Sequence, residues 1–364
     1  MNLSSSDYFL TRFAHALPGA MKLLGDLESD MLRGRLASIE IDRPVFITGL
    51  ARSGTTLLLS LLSQLPKVAT HRYSDFPFLF TPVAWNRLQD SIGASGPPVE
   101  RPHRDRIQIT RDSPEAFEEP IWAHFFDGIH DPRALHRLTA ADRRPEFDEF
   151  FREHLRKMLL LRGGSRYVSK GNYNVTRIEY LADLFPDARF LIPVRHPVTQ
   201  VESLMRQHRL FSDYSRRDER VPAYLRAAGH FEFGPQRVPV NIDELDARRM
   251  ADAWRAGEDA IGYAVMWNSV YAHVHLLERR DDLGARIEFV RYEDLCEDAH
   301  GTLGQIAGFC DLEEGVDALL ARLPEIYPRA LDAFRLSEDE RARIWMITAA
   351  TAARLGYRWE HLQS

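Results

Sequence analysis

Short apolar runs bounded by turn residues alternate along this chain with longer stretches of helical periodicity. Residues 45–48 form a β-rich apolar run after Pro44, and "TTLLLSLLSQL" from Thr55 has the composition and length of a buried helix. Two further runs, "RFLIPV" at 189–194 and "RIEFV" at 286–290, read as fully buried strands, each followed by a helical stretch. Strands alternating with helices predict an α/β fold around a mainly parallel sheet, with ligands bound outside the carboxyl ends of the strands. Near the N-terminus Tyr8, Phe9, Phe13, Leu17, Met21 and Leu24 recur at helical spacing, which predicts an amphipathic helix packed on the body; contact in a homodimer is the second expectation.

Between these elements the patterning breaks down. Residues 91–111 are rich in Gly, Pro and charge and are expected to form a surface loop. Residues 211–246, containing "AAGHFEFGPQRVPVN", read as an irregular lid or binding loop. Beyond Leu331 the chain reads as helical, with Ser337 and Glu340 as a capping pair. The expected division is an N-terminal helical segment at 1–43, an α/β domain at 44–310 and a C-terminal helical segment at 311–364.

Composition narrows the classes of partner. Hydrophobic residues make up 45% of the chain, charged ones 27%, and the net charge is -6. No global basic field therefore draws the protein to nucleic acid or an anionic membrane, and any anion site must be local. No run reaches the roughly 18 apolar residues of a membrane span. Cys296 and Cys310 lack metal-ligand spacing, and the N-terminus lacks the pattern of a secretion signal, so a reducing cytoplasm is the expected setting.

The chemistry begins at "GLARSGTT", residues 49–56. Gly49 and Gly54 let the backbone turn tightly, while the amides of Ser53 to Thr56 open the following helix and point toward an anion. The hydroxyls of Ser53, Thr55 and Thr56 add neutral donors. Arg52 supplies charge in a forked geometry suited to a tetrahedral oxyanion. A P-loop kinase would instead carry Lys followed by Ser or Thr after the last glycine.

This loop resembles the 5′-phosphosulfate loop of sulfotransferases that use 3′-phosphoadenosine 5′-phosphosulfate (PAPS), in the form found in their bacterial and tyrosylprotein branches. A second motif, "FLIPVRHPVTQVESL" at 190–204, resembles that family's 3′-phosphate site, where an arginine ends the strand and a serine eight residues later completes the contact; Arg195 and Ser203 match. In "YVSKGNYNVTRIEY" Lys170 stands where family members place a lysine at a strand end, with Asn172 and Arg177 as assistants. Such a lysine would neutralise charge on the leaving phosphate. "VRYEDL" at 290–295 resembles a tail motif of the family, with Tyr292 and Glu293 read as structural support.

The resemblance implies a P-loop NTPase-like three-layer α/β fold with helical insertions, PAPS as co-substrate, and an acceptor bearing a hydroxyl or amine on a small molecule, glycan, lipid or peptide. It implies transfer without a metal, consistent with the missing Lys-Ser/Thr pair and with the absence of zinc spacing in the sequence. For the general base the first candidates are Asp75 and His71 in "THRYSDFPFLFTP"; Glu118, Glu119 and His124 in "SPEAFEEPIWAHFF" are further ones. The aromatic density of "YSDFPFLF" and "PIWAHFF" suits either an apolar acceptor pocket or plain core. Two other readings remain open: a divergent kinase, and a nucleotide-binding protein that kept the cradle without the chemistry.

Overall fold

The computed structural model describes residues 5–91, 93, 97–104, 107–321, 323 and 336–362. The chain contributes β1 (Val45–Ile47), β2 (Val68–Ala69), β3 (Val99–Glu100), β4 (Gln108–Ile109), β5 (Arg166–Lys170), β6 (Arg189–Val194) and β7 (Ile287–Arg291). Five of these form a parallel sheet in the order β2-β5-β1-β6-β7; β3 and β4 make a separate antiparallel hairpin.

Alternation along the short strands explains the layers. Val45 and Ile47 pack with Val168, Leu191 and Val290 against leucines of helix Thr55–Leu62 and against helix Ala299–Cys310. Phe46, Phe190 and Ile192 belong to the opposite, larger core, shared with helices Pro145–Arg162, Pro197–Arg217 and Asp259–Glu278. Both faces of the sheet are covered, so its strands read as unbroken apolar runs and the molecule is a three-layer α/β structure. Register then places the motifs: Ile47 pairs with Lys170 on one side and Leu191 on the other, and Val194 pairs with Arg291. The segments leaving β1, β5, β6 and β7 consequently emerge at one edge of the sheet.

Several expectations change. The N-terminus forms two helices, Ser5–Ala16 and Pro18–Leu36, and Met21 is buried as expected, but Phe9, Phe13, Leu17 and Leu24 lie exposed. The inner face of the second helix is chosen instead by Gly25, which lies close against the Phe80 carbonyl and the Phe150 ring, and by Glu28, whose buried carboxylate sits 3.3 Å from Lys157. A buried ion pair is invisible to an apolar pattern. The 91–111 region is more than a surface loop: it carries the β3–β4 hairpin and turns Arg101 inward, leaving it buried. Residues 211–246 are irregular only in part: helices Pro197–Arg217 and Arg220–Ala227 run into the segment and helix Glu244–Arg255 closes it, leaving 218–219 and 228–243 irregular. At the C-terminus helix Glu338–Arg354 opens on a capping box of Ser337 and Glu340, while 331–335 lie outside the described residues. Among the described residues no helix is long and apolar enough to cross a membrane.

Candidate functional site

The loop after β1 is shaped by backbone demands. Gly54 adopts φ +104°, and a Cβ there would meet the Tyr292 ring at 2.8 Å. Arg52 itself holds φ 70°, a left-handed conformation costing a non-glycine residue about 1–2 kcal/mol. Contacts from the helix after β6 and from the residue after β5 hold the turn. Gln200, fully buried, donates to the carbonyls of Ala51 (3.1 Å) and Leu50 (3.4 Å) and accepts from the Trp267 indole at 3.0 Å. The Thr48 hydroxyl donates to the Gly171 carbonyl at 2.7 Å. The eight-residue helix Thr55–Leu62 follows, its first amides at the mouth of the turn.

Side chains of the two distant motifs meet there. Arg52 Nε donates to Ser203 Oγ at 3.1 Å, linking the β1 loop to the helix after β6. Arg195, at the end of β6, stacks its guanidinium over the Tyr292 ring 4.8 Å away, the same ring that packs on Gly54. The backbone beside it is braced by the C-terminal segment. Glu293 accepts from the His196 amide at 3.0 Å and from the Tyr357 hydroxyl at 2.8 Å, and His196 stacks on Trp345. These bonds give Glu293 the supporting role read from "VRYEDL".

On the other side, Lys170 ends β5 with its ammonium 3.1 Å from Thr56 Oγ1 and 3.2 Å from Glu115 Oε1. Glu115 also accepts from the Tyr73 hydroxyl at 2.7 Å. Burial alone would raise the Glu115 carboxyl, but Lys170, Arg101 and His230 beside it and the Tyr73 bond hold it well below the ordinary carboxylate range. It stays ionised. Thr55 Oγ1 reaches Asn172 Oδ1 at 3.4 Å, and Asn172 Nδ2 donates to Glu232 at 2.8 Å. Over this cluster lies His103, near Arg101, Arg52 and His230, with its carbonyl accepting from Gln207 at 3.0 Å. Burial and the neighbouring cations push its imidazole well below its ordinary value, so it is neutral at pH 7.

The expected bases occupy other surroundings. Asp75 is fully buried; one carboxylate oxygen takes bonds from Arg162 (2.5 Å) and Asn86 (2.8 Å), the other from the Arg72 amide (2.8 Å). Burial would raise this group, but His71, Arg162 and the amide hold it well below the carboxylate range. His71 stacks on His154 in the core. A carboxylate so fully engaged fixes its loop to helix Pro145–Arg162 and is a poor proton acceptor, which argues against Asp75 and His71 as bases. Glu118 accepts from Tyr167 (2.6 Å) and Asn174 (3.0 Å), while Glu119 is gripped by both terminal nitrogens of Arg177 and by His130 at 2.5 Å. Arg177 thereby braces Glu119, and among the described residues its bonds go to Glu119 and Asn174 rather than to the loop motifs. His124 is half-buried with its ring edge-on to Phe80.

Sequence reading passed over Glu115, Tyr73, Gln200, Arg101, His103 and His230. Glu115 stands three and four residues before the glutamates considered, in non-helical chain ahead of helix Glu119–Phe125, but nothing in its spacing marks it; only the approach of Lys170 from β5 does.

The description "Sulfotransferase family" belongs to a family model that matches residues 44–240. No curated protein matches the chain. Among solved structures the chain is similar to the sulfotransferase STF9 from Mycobacterium avium, at 18% identity and a TM-score of 0.52 over 90% of this chain and 81% of that one. It is also similar to the sulfotransferase STF1 from Mycobacterium tuberculosis, at 15% identity and a TM-score of 0.49 over 90% and 82%.

Proposed function

The chain belongs to the sulfotransferase family, and from that membership we propose that it moves the sulfuryl group of PAPS to a hydroxyl acceptor by in-line transfer. The amides and hydroxyls of Ser53, Gly54, Thr55 and Thr56, with Arg52, receive the 5′-phosphosulfate. Arg195 and Ser203 receive the 3′-phosphate, and Lys170 faces the oxygen that departs with the phosphate. The observation that carries this reading is the 3.1 Å bond from Arg52 to Ser203, which brings together two motifs 151 residues apart. The residues fit such a ligand: the glycine cradle is closed to any Cβ by Tyr292, and a second cation stands on that same ring. With Arg52 and Lys170 to supply the positive charge, the reading is of transfer without a metal.

In the proposed reaction the acceptor oxygen bonds to sulfur as the bond from sulfur to the bridging phosphate oxygen breaks. The electron pair leaves on the phosphate beside Lys170, and the acceptor proton passes to a base. We assign that base to His230, which is partly exposed and has Glu232 3.9 Å from its Nδ1, the carboxylate that also accepts from Asn172 beside the loop. Buried free Cys296 and Cys310 accord with a reducing cytoplasm as its setting.

Calorimetric titration with PAPS, its desulfonated product and Mg-ATP tests the donor reading. Wild type should prefer the two 3′-phosphorylated ligands, and Arg195→Ala should weaken both by about 10- to 100-fold while leaving any ATP binding untouched. Preference for Mg-ATP, together with indifference to the substitution, would return the protein to the kinase reading.

A further inference from the structure

A cavity of about 500 Å³ lies between the N-terminal helices and segments 76–80, 119–131 and 226–231. That volume is in the range of pockets that enclose small organic ligands. Its lining is mostly apolar: Phe76, Leu79 and Phe80 come from one of the aromatic stretches marked in the sequence, and Ala123 and Phe126 from the other, while Trp122 and Phe125 of that second stretch are core. The N-terminal helices complete the enclosure with Ala14 and Met21. Three of the charged groups on the lining already have partners, while Asp127 and the imidazoles of His15 and His124 also border it. Glu119 holds Arg177 and His130, Arg226 donates to Gln236 at 2.5 Å, and Asp131 accepts from Arg133 at 2.9 Å. A charged ligand would compete with those three for their partners, whereas an apolar one gains burial against the aromatic and aliphatic part of the lining.

The cavity also shares two thin walls with the Lys170–Glu115 cluster. On one side Phe76 stacks on Phe117 at 5.2 Å, Phe117 meets the Tyr73 ring edge-on at 5.8 Å, and the Tyr73 hydroxyl donates to Glu115. On the other, Gly229 and Phe231 line the cavity while His230, between them, lies beside Glu115 with its ring 6.5 Å from that of His103. The backbone of Phe231 is fixed by its amide, which donates to the hydroxyl of Tyr173 at 2.9 Å, the residue next to Asn172, whose side chain reaches Thr55.

We infer that this cavity receives the body of the acceptor, and that the acceptor is a neutral, largely apolar alcohol or phenol whose hydroxyl is presented past the 229–231 wall toward Lys170. The inference rests on the sulfotransfer reading above. It disfavours glycans and charged peptides, because many of their polar groups would lose water against Phe76, Phe80 and Phe231, and the few polar groups on the lining cannot replace all of those bonds.

The test measures acceptor binding without donor. Naphthol and dodecanol, with glucose and a serine peptide as polar controls, are titrated by calorimetry into wild type, Ala123→Trp and Ala14→Trp, with thermal melts verifying the fold and the desulfonated nucleotide titrated in parallel. Each indole fills the cavity from a different wall, so the Kd for the alcohols should rise by about tenfold or more in each variant, with nucleotide binding unchanged. Binding of glucose or the peptide in preference to the alcohols, or alcohol affinity unchanged in both folded variants, would overturn the inference. Failure of the nucleotide to bind wild type would instead sink the donor reading, and the alcohol titrations would still decide the cavity.

Discussion

Replacing Lys170 by methionine separates what this residue does for the fold from what it does for transfer. The ammonium and Glu115 are 3.2 Å apart with side-chain exposures of only 7% and 6%, so removing the cation leaves a buried carboxylate without its nearest counter-charge. Breaking such a pair costs roughly 3–5 kcal/mol. Glu115 keeps the Tyr73 hydroxyl and the nearby Arg101, which places the expected loss at the lower end, about 3 kcal/mol. An unfolding entropy of about 2.1 cal/mol/K per residue over a chain of this length converts that loss to a fall in Tm of about 4 °C. The double variant Lys170→Met with Glu115→Gln removes both charges and should recover most of the lost stability. Activity should not recover with it: loss of the cation at the leaving oxygen is expected to reduce kcat by about 100- to 1000-fold in both variants. Scanning calorimetry gives the first quantity, and mass-spectrometric detection of sulfated product from an alcohol panel gives the second. Transfer within a few-fold of wild type in the single variant would refute the role given to Lys170, and a double variant no more stable than the single one would refute the isolated-pair argument.

Other outcomes follow from the same geometry. Gly54→Ala forces an L-residue to φ +104° with its Cβ 2.8 Å from the Tyr292 ring, and should cost about 1–3 kcal/mol in chemical denaturation together with most of the affinity for the desulfonated nucleotide; full nucleotide affinity in that variant would show that the cradle is not the binding surface. His230→Ala should lower kcat while leaving nucleotide binding unchanged; an unaltered kcat would remove His230 as the base. Acid stability should follow the buried carboxylates. Burial opposes ionisation of Glu119, but Arg177 and His130 bring its carboxyl down to about 2, below its ordinary 4.5. Because the folded value is the lower one, its contribution, on the order of 3 kcal/mol, is fully present above pH about 4.5 and is lost as pH falls toward 2. Asp75 and Glu115 shift in the same direction. Melting temperatures measured from pH 6 downward should therefore fall with acid mainly below the ordinary carboxylate range; a flat response there, or a loss already complete at pH 5, would contradict these pairings.

The apolar runs at β1, β6 and β7 and the helical stretches after them were enough to read a parallel α/β sheet from the sequence, because strands covered on both faces cannot hide their composition. The glycine-arginine loop was equally readable: tight turns and helix starts are local, and Gly49 and Gly54 hold the conformations their motif demands. Both anion motifs also fall at the strand ends where their order in the chain placed them. Local sequence could not show which polar groups meet across the sheet. Asp75 stood out as a candidate base by its position after the first helix, yet Arg162 and Asn86 arrive from elsewhere in the chain to occupy its oxygens. Glu115 and Gln200 carried no signal, and they become important only because β5 and β6 flank β1 and bring Lys170 and the loop carbonyls within bonding distance. The N-terminal helix shows the same limit, since a close-packed glycine and a buried Glu28–Lys157 pair chose its inner face over several larger apolar residues. Backbone conformation and burial leave a trace in consecutive residues, whereas the partner of a charge is set by distances that exist only after the strands have paired.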